Sequence, residues 1–218
     1  MKINNAIKQL IVLLYGLLSV VTVFATEILV LHTDFVSNIK FDQLKPIAQQ
    51  ADVQLQHINI DHYQDDLKPL ITQADVVVLD VPRPSDREAV EARSLAILKE
   101  TKTAYMTVGG GAPEFQEIPK LFGYRLLGLY ANGGELNFRH YFQSIGIWKT
   151  TGKKPSYDIQ KLPDLAVYHP KASRYFNEVS DYQNWFLNTQ KSAPKAKIAY
   201  LMSPSMVSNL TTAKIDQL

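Results

Sequence analysis

The chain of 218 residues has no cysteine. This excludes disulfides, thiolate metal sites, a cysteine nucleophile and a lipid-modified amino-terminal cysteine. A Walker A loop is missing too. The nearest approach, Thr151-Gly152-Lys153-Lys154, has the wrong spacing and no hydroxyl after the lysine, so it offers no Mg²⁺-ATP cradle. None of the five histidines (His32, His57, His62, His140, His169) has a histidine four residues on, so no helical HExxH metal clip exists. Excess charge is also lacking. Lys2 and Lys8 account for the whole surplus of 23 basic over 21 acidic residues, and a neutral body carries no electrostatic footprint for nucleic acid.

What is present begins with a leader pattern over residues 1–25. Lys2 and Lys8 make a basic start, an apolar run extends from Leu10 to Phe24, and Val23-Phe24-Ala25 places small residues at the −3 and −1 positions of a cleavage site. The run is shorter than the roughly 20 residues that span a bilayer. The uncharged window from Gln9 to Thr26 leaves an uncleaved anchor as the alternative. Either way the body is expected outside the cytoplasm, in a periplasm, where a chain without cysteine is indifferent to oxidation.

From residue 26 the pattern alternates. Strands are expected at Glu27–His32, Val53–Ile60, Ala74–Asp80 and Thr103–Val108. Helices are expected at Phe35–Ala51 (with Pro46 as a kink or break), Asp65–Gln73, and from a Ser85…Glu88 capping box to about Glu100. Strand–helix alternation implies βαβ units, hence a parallel flavodoxin- or Rossmann-like sheet with helices on both faces. Residues 26–112 read as this first α/β domain and 113–193 as a helix-rich aromatic segment interrupted at Gly123, Gly128 and Gly133-Gly134. Glu135 falls in the first turn of a helix whose apolar face is Leu136, Phe138, Tyr141, Phe142 and Ile145. Thr150–Pro163 reads as a loop, Leu165–Tyr168 as a short extended piece, and Ser180…Gln183 as a second capping box opening a helix to about Gln190. Residues 194–218 read as the start of a second α/β domain. Lys197–Met202 is expected as a strand and Thr211 as the start of a helix that has no C-terminal signal, which suggests a truncation within a larger molecule.

Open α/β sheets bind ligands beyond the carboxyl ends of their strands. His32 and Asp34 after the first strand, and Asp80 and Arg83 after the third, are the candidates there. The simpler reading makes them loop and cap residues. Gly109-Gly110-Gly111 follows the fourth strand and could offer free amides to an anion, although a flexible turn is the simpler reading. Glu135 and His140, five apart, point in different directions on a helix and do not share a metal. Tyr175, Phe176, Tyr182, Trp185 and Phe186 form an aromatic cluster suited to a core, a domain seam or a stacked macrocycle.

Four blocks resemble the N-terminal region of the family of large chelatase subunits that unites cobaltochelatase CobN with its magnesium chelatase counterpart: Leu129-Tyr130…Gly133-Gly134-Glu135-Leu136-Asn137; Leu162-Pro163…Tyr168-His169-Pro170; Tyr182…Trp185; and Lys197-Ile-Ala-Tyr-Leu with Ile215-Asp216. The resemblance spans roughly residues 74–218. It implies a much longer parent that binds a tetrapyrrole and inserts a metal, with ATP hydrolysis on separate AAA+ subunits. This segment itself would need no cofactor; tetrapyrrole and divalent metal belong to the full-length form. Gly133, Gly134, Glu135, Asn137, Tyr168, His169 and Pro170 carry over as motif positions without an assigned role. Export would part the chain from ATP and AAA+ partners, so ring binding, or metal removal from haem or a related ring, is the expectation. The alternative classes are a two-lobed periplasmic ligand-binding module and a partner-docking domain.

Overall fold

The computed structural model describes residues 26–163, 165–172, 175–189 and 200–212. The leader pattern at 1–25 lies outside the described residues. Five strands, β1 (Thr26–His32), β2 (Val53–Asn59), β3 (Val76–Asp80), β4 (Ala104–Val108) and β5 (Phe115–Gln116), form one sheet in the order β2-β1-β3-β4-β5. The first four are parallel; β5, which the sequence did not announce, is two residues long and antiparallel to β4. This is the flavodoxin-like order expected of right-handed βαβ units.

Seven helices are described: α1 (Asn38–Gln49), α2 (Lys68–Gln73), α3 (Pro84–Thr101), α4 (Lys120–Asn132), α5 (Gly134–Thr151), α6 (Val179–Thr189) and α7 (Pro204–Ser208). Successive strand side chains point to opposite faces. Ile28, Val30, Val76, Val78 and Met106 therefore meet α1, α4 and α5, whereas Leu29, Leu31, Val77, Leu79 and Tyr105 meet α2 and α3. Phe122, Leu126 and Leu129 of α4, and Phe138, Tyr141, Phe142 and Ile145 of α5, share one core with the strands of residues 26–108. The aromatic helices are thus the cover of one sheet face. Among the described residues no helix is long and apolar enough to cross a membrane.

Several local expectations change. Pro46 does not break α1: it and Asp42, whose carbonyl loses a helical partner, lie on the exposed side, where solvent access makes the lost bond cheap. The cap of α3 is Arg83 rather than Ser85, because Pro84 already starts the helix and the Asp86 carboxylate accepts from the Arg83 backbone N–H at 3.1 Å. Gly123 and Gly128 lie inside α4 without interrupting it. Each admits a close neighbour: an added Cβ would stand 2.6 Å from the Phe115 ring and 2.5 Å from Ile159 Cδ1, respectively. Ser180 falls within the first turn of α6, since helical bonding begins with Tyr182 N–H donating to the Glu178 carbonyl. Tyr200–Met202, the described part of the strand expected at 197–202, is irregular and finds no strand to pair with among the described residues; Thr211 and Thr212 are irregular as well. Residues 197–199 and 213–218 lie outside the description.

Leu126 is fully buried between α4 and the sheet. Leu126→Ala should lower unfolding free energy by about 2–5 kcal/mol, measured by urea denaturation; a loss under ~1 kcal/mol would mean that α4 does not cover the core.

Candidate functional site

The order reverses between β1 and β3, and His32 and Asp80 pair in register across that point. This is the crevice where flavodoxin-like sheets take ligands. Here the protein's own side chains fill it. Lys40 reaches from α1 to Asp80, Nζ to Oδ2 2.7 Å, with both side chains about 5% exposed. From α4, the Tyr130 hydroxyl donates to the same carboxylate oxygen at 2.8 Å. The Lys40 ammonium also lies 4.5 Å from the Tyr130 ring centroid, over its π face. Burial first, and the Asp80 charge second, push the Tyr130 hydroxyl well above the usual phenol range, so it remains a donor.

The other residues expected at this edge turn elsewhere. Asp34 points outward, accepting from Asn59 Nδ2 at 2.7 Å and His62 Nε2 at 2.8 Å. Arg83 binds Asp86 through Nε at 2.9 Å and Nη2 at 2.7 Å, with its guanidinium 4.0 Å from the Phe35 ring centroid. Asp86 also accepts from the Thr33 hydroxyl at 3.0 Å; its bonds to Arg83 hold its carboxyl below the usual range. His32, Asp34, Asp80 and Arg83 thus share one sheet edge but divide among four networks of side chains.

His32 belongs to a histidine relay that sequence reading missed. The Thr33 carbonyl can only accept, so His32 donates to it from Nδ1 at 2.9 Å. His32 Nε2 then accepts from His57 Nδ1–H at 3.1 Å. His57 stacks on Phe41, centroids 4.6 Å apart. Burial, aided by the neighbouring His32 and Lys45, lowers His57 to about 4; burial lowers His32 too. Among the described residues no group of three His, Asp or Glu side chains could hold a metal ion.

Gly109, Gly110 and Gly111 all adopt positive φ, 84°, 68° and 129°. An added Cβ would lie 2.7 Å from the Val81 carbonyl at Gly109 and 2.8 Å from Arg87 Cβ at Gly110. The turn packs against the start of α3, where Arg87 donates to the Ala112 carbonyl at 2.7 Å and pairs with Glu91 and Glu114. Glycine is needed for that close approach.

The motif residues form a junction. Gly133, with φ 61°, ends α4 and starts α5, and its Cβ position would fall 2.2 Å from the Ser208 carbonyl of α7. Gly134 has φ 78° and open space. Glu135 pairs with Arg139 on the surface. Asn137 is buried and fully bonded: Nδ2 donates to the Gly133 and Gln160 carbonyls, each at 2.7 Å, and Oδ1 accepts from Gln160 N–H at 2.9 Å. Tyr168 shares a hydrogen bond with Thr212 at 3.4 Å. His169 Nδ1 accepts from Lys171 N–H at 3.2 Å, which leaves the proton of the neutral ring on Nε2. Its ring sits 5.0 Å from Trp185 and 6.0 Å from both Tyr182 and Phe186, and burial lowers its pKa. Pro170 lies in the turn closed by Ala172 N–H on the His169 carbonyl. Tyr130, Gly133 and Asn137 thus tie the sheet edge, α7 and the loop after α5 to one corner.

Residues 127–218 match the family model described as CobN/Magnesium Chelatase. The matched span opens later than the residue 74 expected from sequence reading. It contains Tyr130, Gly133, Gly134, Glu135, Asn137 and Tyr168-His169-Pro170, and leaves out His32, Asp34, Asp80, Arg83 and Gly109–Gly111. The catalytic subunit of cobaltochelatase from Mycobacterium tuberculosis superposes with a TM-score of 0.43 at 16% identity, over 68% of this chain and 12% of that chain. A flavodoxin-like domain from Synechococcus sp. superposes with a TM-score of 0.37 at 17% identity, over 57% of this chain and 94% of that one. No curated protein matches the chain.

Two outcomes test this geometry. Asp80→Ala strands the buried Lys40 ammonium and should cost about 3–5 kcal/mol, whereas Lys40→Met with Asp80→Leu and Tyr130→Phe should recover most of it; equal loss in both variants by urea denaturation refutes the ion-pair account. For the histidine relay, the fold favours the neutral form. Its contribution is complete above pH 6.5 and drains as pH falls toward about 4. His57→Gln should flatten the fall of the denaturation midpoint over that window, and an unchanged slope would exclude His57 as a source.

Proposed function

We propose that this chain, whose residues 127–218 match the CobN/Magnesium Chelatase family model, takes part in tetrapyrrole chemistry as an exported chelatase-like protein. The observation that carries the reading is the family region itself, with Gly133-Gly134-Glu135, Asn137 and Tyr168-His169-Pro170 all inside it. The flavodoxin-like sheet supplies a rigid body rather than a nucleotide site. Lys40 and Tyr130 fill the crevice where such a ligand would lie, and no Walker loop is present. The motif corner joins that body to the loop after α5 and to α7.

A leader at residues 1–25 would carry the protein away from cytoplasmic ATP and AAA+ subunits. Insertion of a metal against an unfavourable gradient would then lack its energy source. Binding or transfer of the ring, or removal of its metal, needs no nucleotide and is the form of the activity proposed. Cobalt, magnesium and haem iron are candidate metals, as cargo rather than as a resident cofactor.

The test is titration of the full chain with haem, metal-free protoporphyrin and a corrin precursor, followed by absorbance and tryptophan fluorescence. Saturable binding of at least one ring at micromolar concentration is expected. Absence of binding to all three, and of any metal exchange, overturns the reading.

A further inference from the structure

The loop after α5 runs from Lys153 to Pro163 as an extended strap with no regular structure. Three contacts seat it across α4 and α5. Tyr157 stacks flat on His140, centroids 4.2 Å apart and planes 9° from parallel. Ile159 occupies the notch above Gly128, where a Cβ would stand 2.5 Å from its Cδ1. Gln160 exchanges two backbone hydrogen bonds with the Asn137 side chain. Most of the strap is otherwise exposed, which is the profile of a segment that opens locally at small cost.

The helix beneath it carries polar atoms without partners. Among the described residues, His140 Nδ1, Ser144 Oγ and Arg139 Nε are buried and make no hydrogen bond. Ser144 is only 1% exposed. His140 and Ser144 are four apart and Asn137 and Ser144 seven apart, so the three share one face of α5. Buried polar groups are nearly always paired, and on that face Asn137 is satisfied whereas His140 Nδ1 and Ser144 Oγ call for a missing partner. Tyr157 shows which shape that face accepts: a planar aromatic ring laid on His140.

We propose that the strap is a displaceable cover over a ligand groove on α4 and α5. The ligand is a planar conjugated ring that replaces Tyr157 on His140 and brings hydrogen-bonding groups to His140 Nδ1 and Ser144 Oγ. This inference rests on the proposed function for the choice of probe, metal-free protoporphyrin, and not for the geometry. A strap that closes the groove most of the time weakens apparent affinity by the fraction of time the groove is open.

The experiment uses the full chain. Ring binding should speed amide hydrogen exchange across residues 153–163 in the wild type. Tyr157→Ala should bind the ring about tenfold more tightly, because the competing side chain is gone. In that background His140→Ala and Ser144→Ala should each lose about tenfold. Ser144→Ala deletes an unpaired buried hydroxyl and should fold at least as well as the parent, so its loss of binding cannot be laid to misfolding. Unchanged affinity in Tyr157→Ala, together with unchanged exchange at 153–163 on ring binding, overturns the groove while the proposed function stands. Failure of every variant to bind metal-free protoporphyrin also overturns the groove, and the proposed function falls with it only where haem and the corrin precursor fail to bind as well and no metal exchanges.

Discussion

A carboxylate buried at the edge of the sheet organises this protein. Asp80 ends β3, Lys40 comes from α1 and Tyr130 from α4, and all three lose water to meet. A charge in that position is tolerable only with a close counter-charge and satisfied oxygens. The meeting therefore fixes the relative placement of three elements, and through α4 it fixes the motif corner. Replacing such a pair with apolar groups is often neutral for stability, so its value here is better understood as specifying one arrangement.

The same interaction explains why a flavodoxin-like sheet need not act like a flavodoxin. The crevice at the reversal of strand order, where a ligand would enter, contains the protein's own ammonium and phenol. Arg83, Asp86 and Thr33 close the neighbouring loops over it. The exposed polar chemistry is displaced to Asp34 and His62, and the histidine relay from His32 to His57 holds two rings neutral beside Phe41. The residues that match the family model lie away from that edge, at the corner where Gly133 receives α7 and Asn137 holds the strap.

The glycines of the helical segment show how far residue patterns reach. Sequence reading takes Gly123 and Gly128 as interruptions, because glycine lowers helix propensity by about 1 kcal/mol each. In the fold both remain helical and serve as notches for Phe115 and Ile159. Gly133 is read correctly as a break, since its positive φ is a local requirement. That its missing side chain also makes room for the Ser208 carbonyl is invisible until α7 is in place. The capping box at Ser85 fails for a similar reason: Pro84 starts the helix two residues earlier, with Arg83 at the cap and the Asp86 carboxylate accepting from its N–H.

By itself the sequence determined the alternation of strands and helices, the continuous apolar strands β1 and β3, the two faces of the sheet and the glycine break before α5. These follow from side-chain periodicity and backbone preference, which act over a few residues. It also carried the family motif and ruled out cysteine chemistry and a Walker site. Only the tertiary structure decided that Lys40 is buried, that Asp80 has two partners, that His57 donates to His32, and that Asn137 binds a strap 23 residues on. Each of those contacts joins residues far apart in the chain. A lone lysine or asparagine has no periodicity to announce its burial, and its partner is chosen by packing.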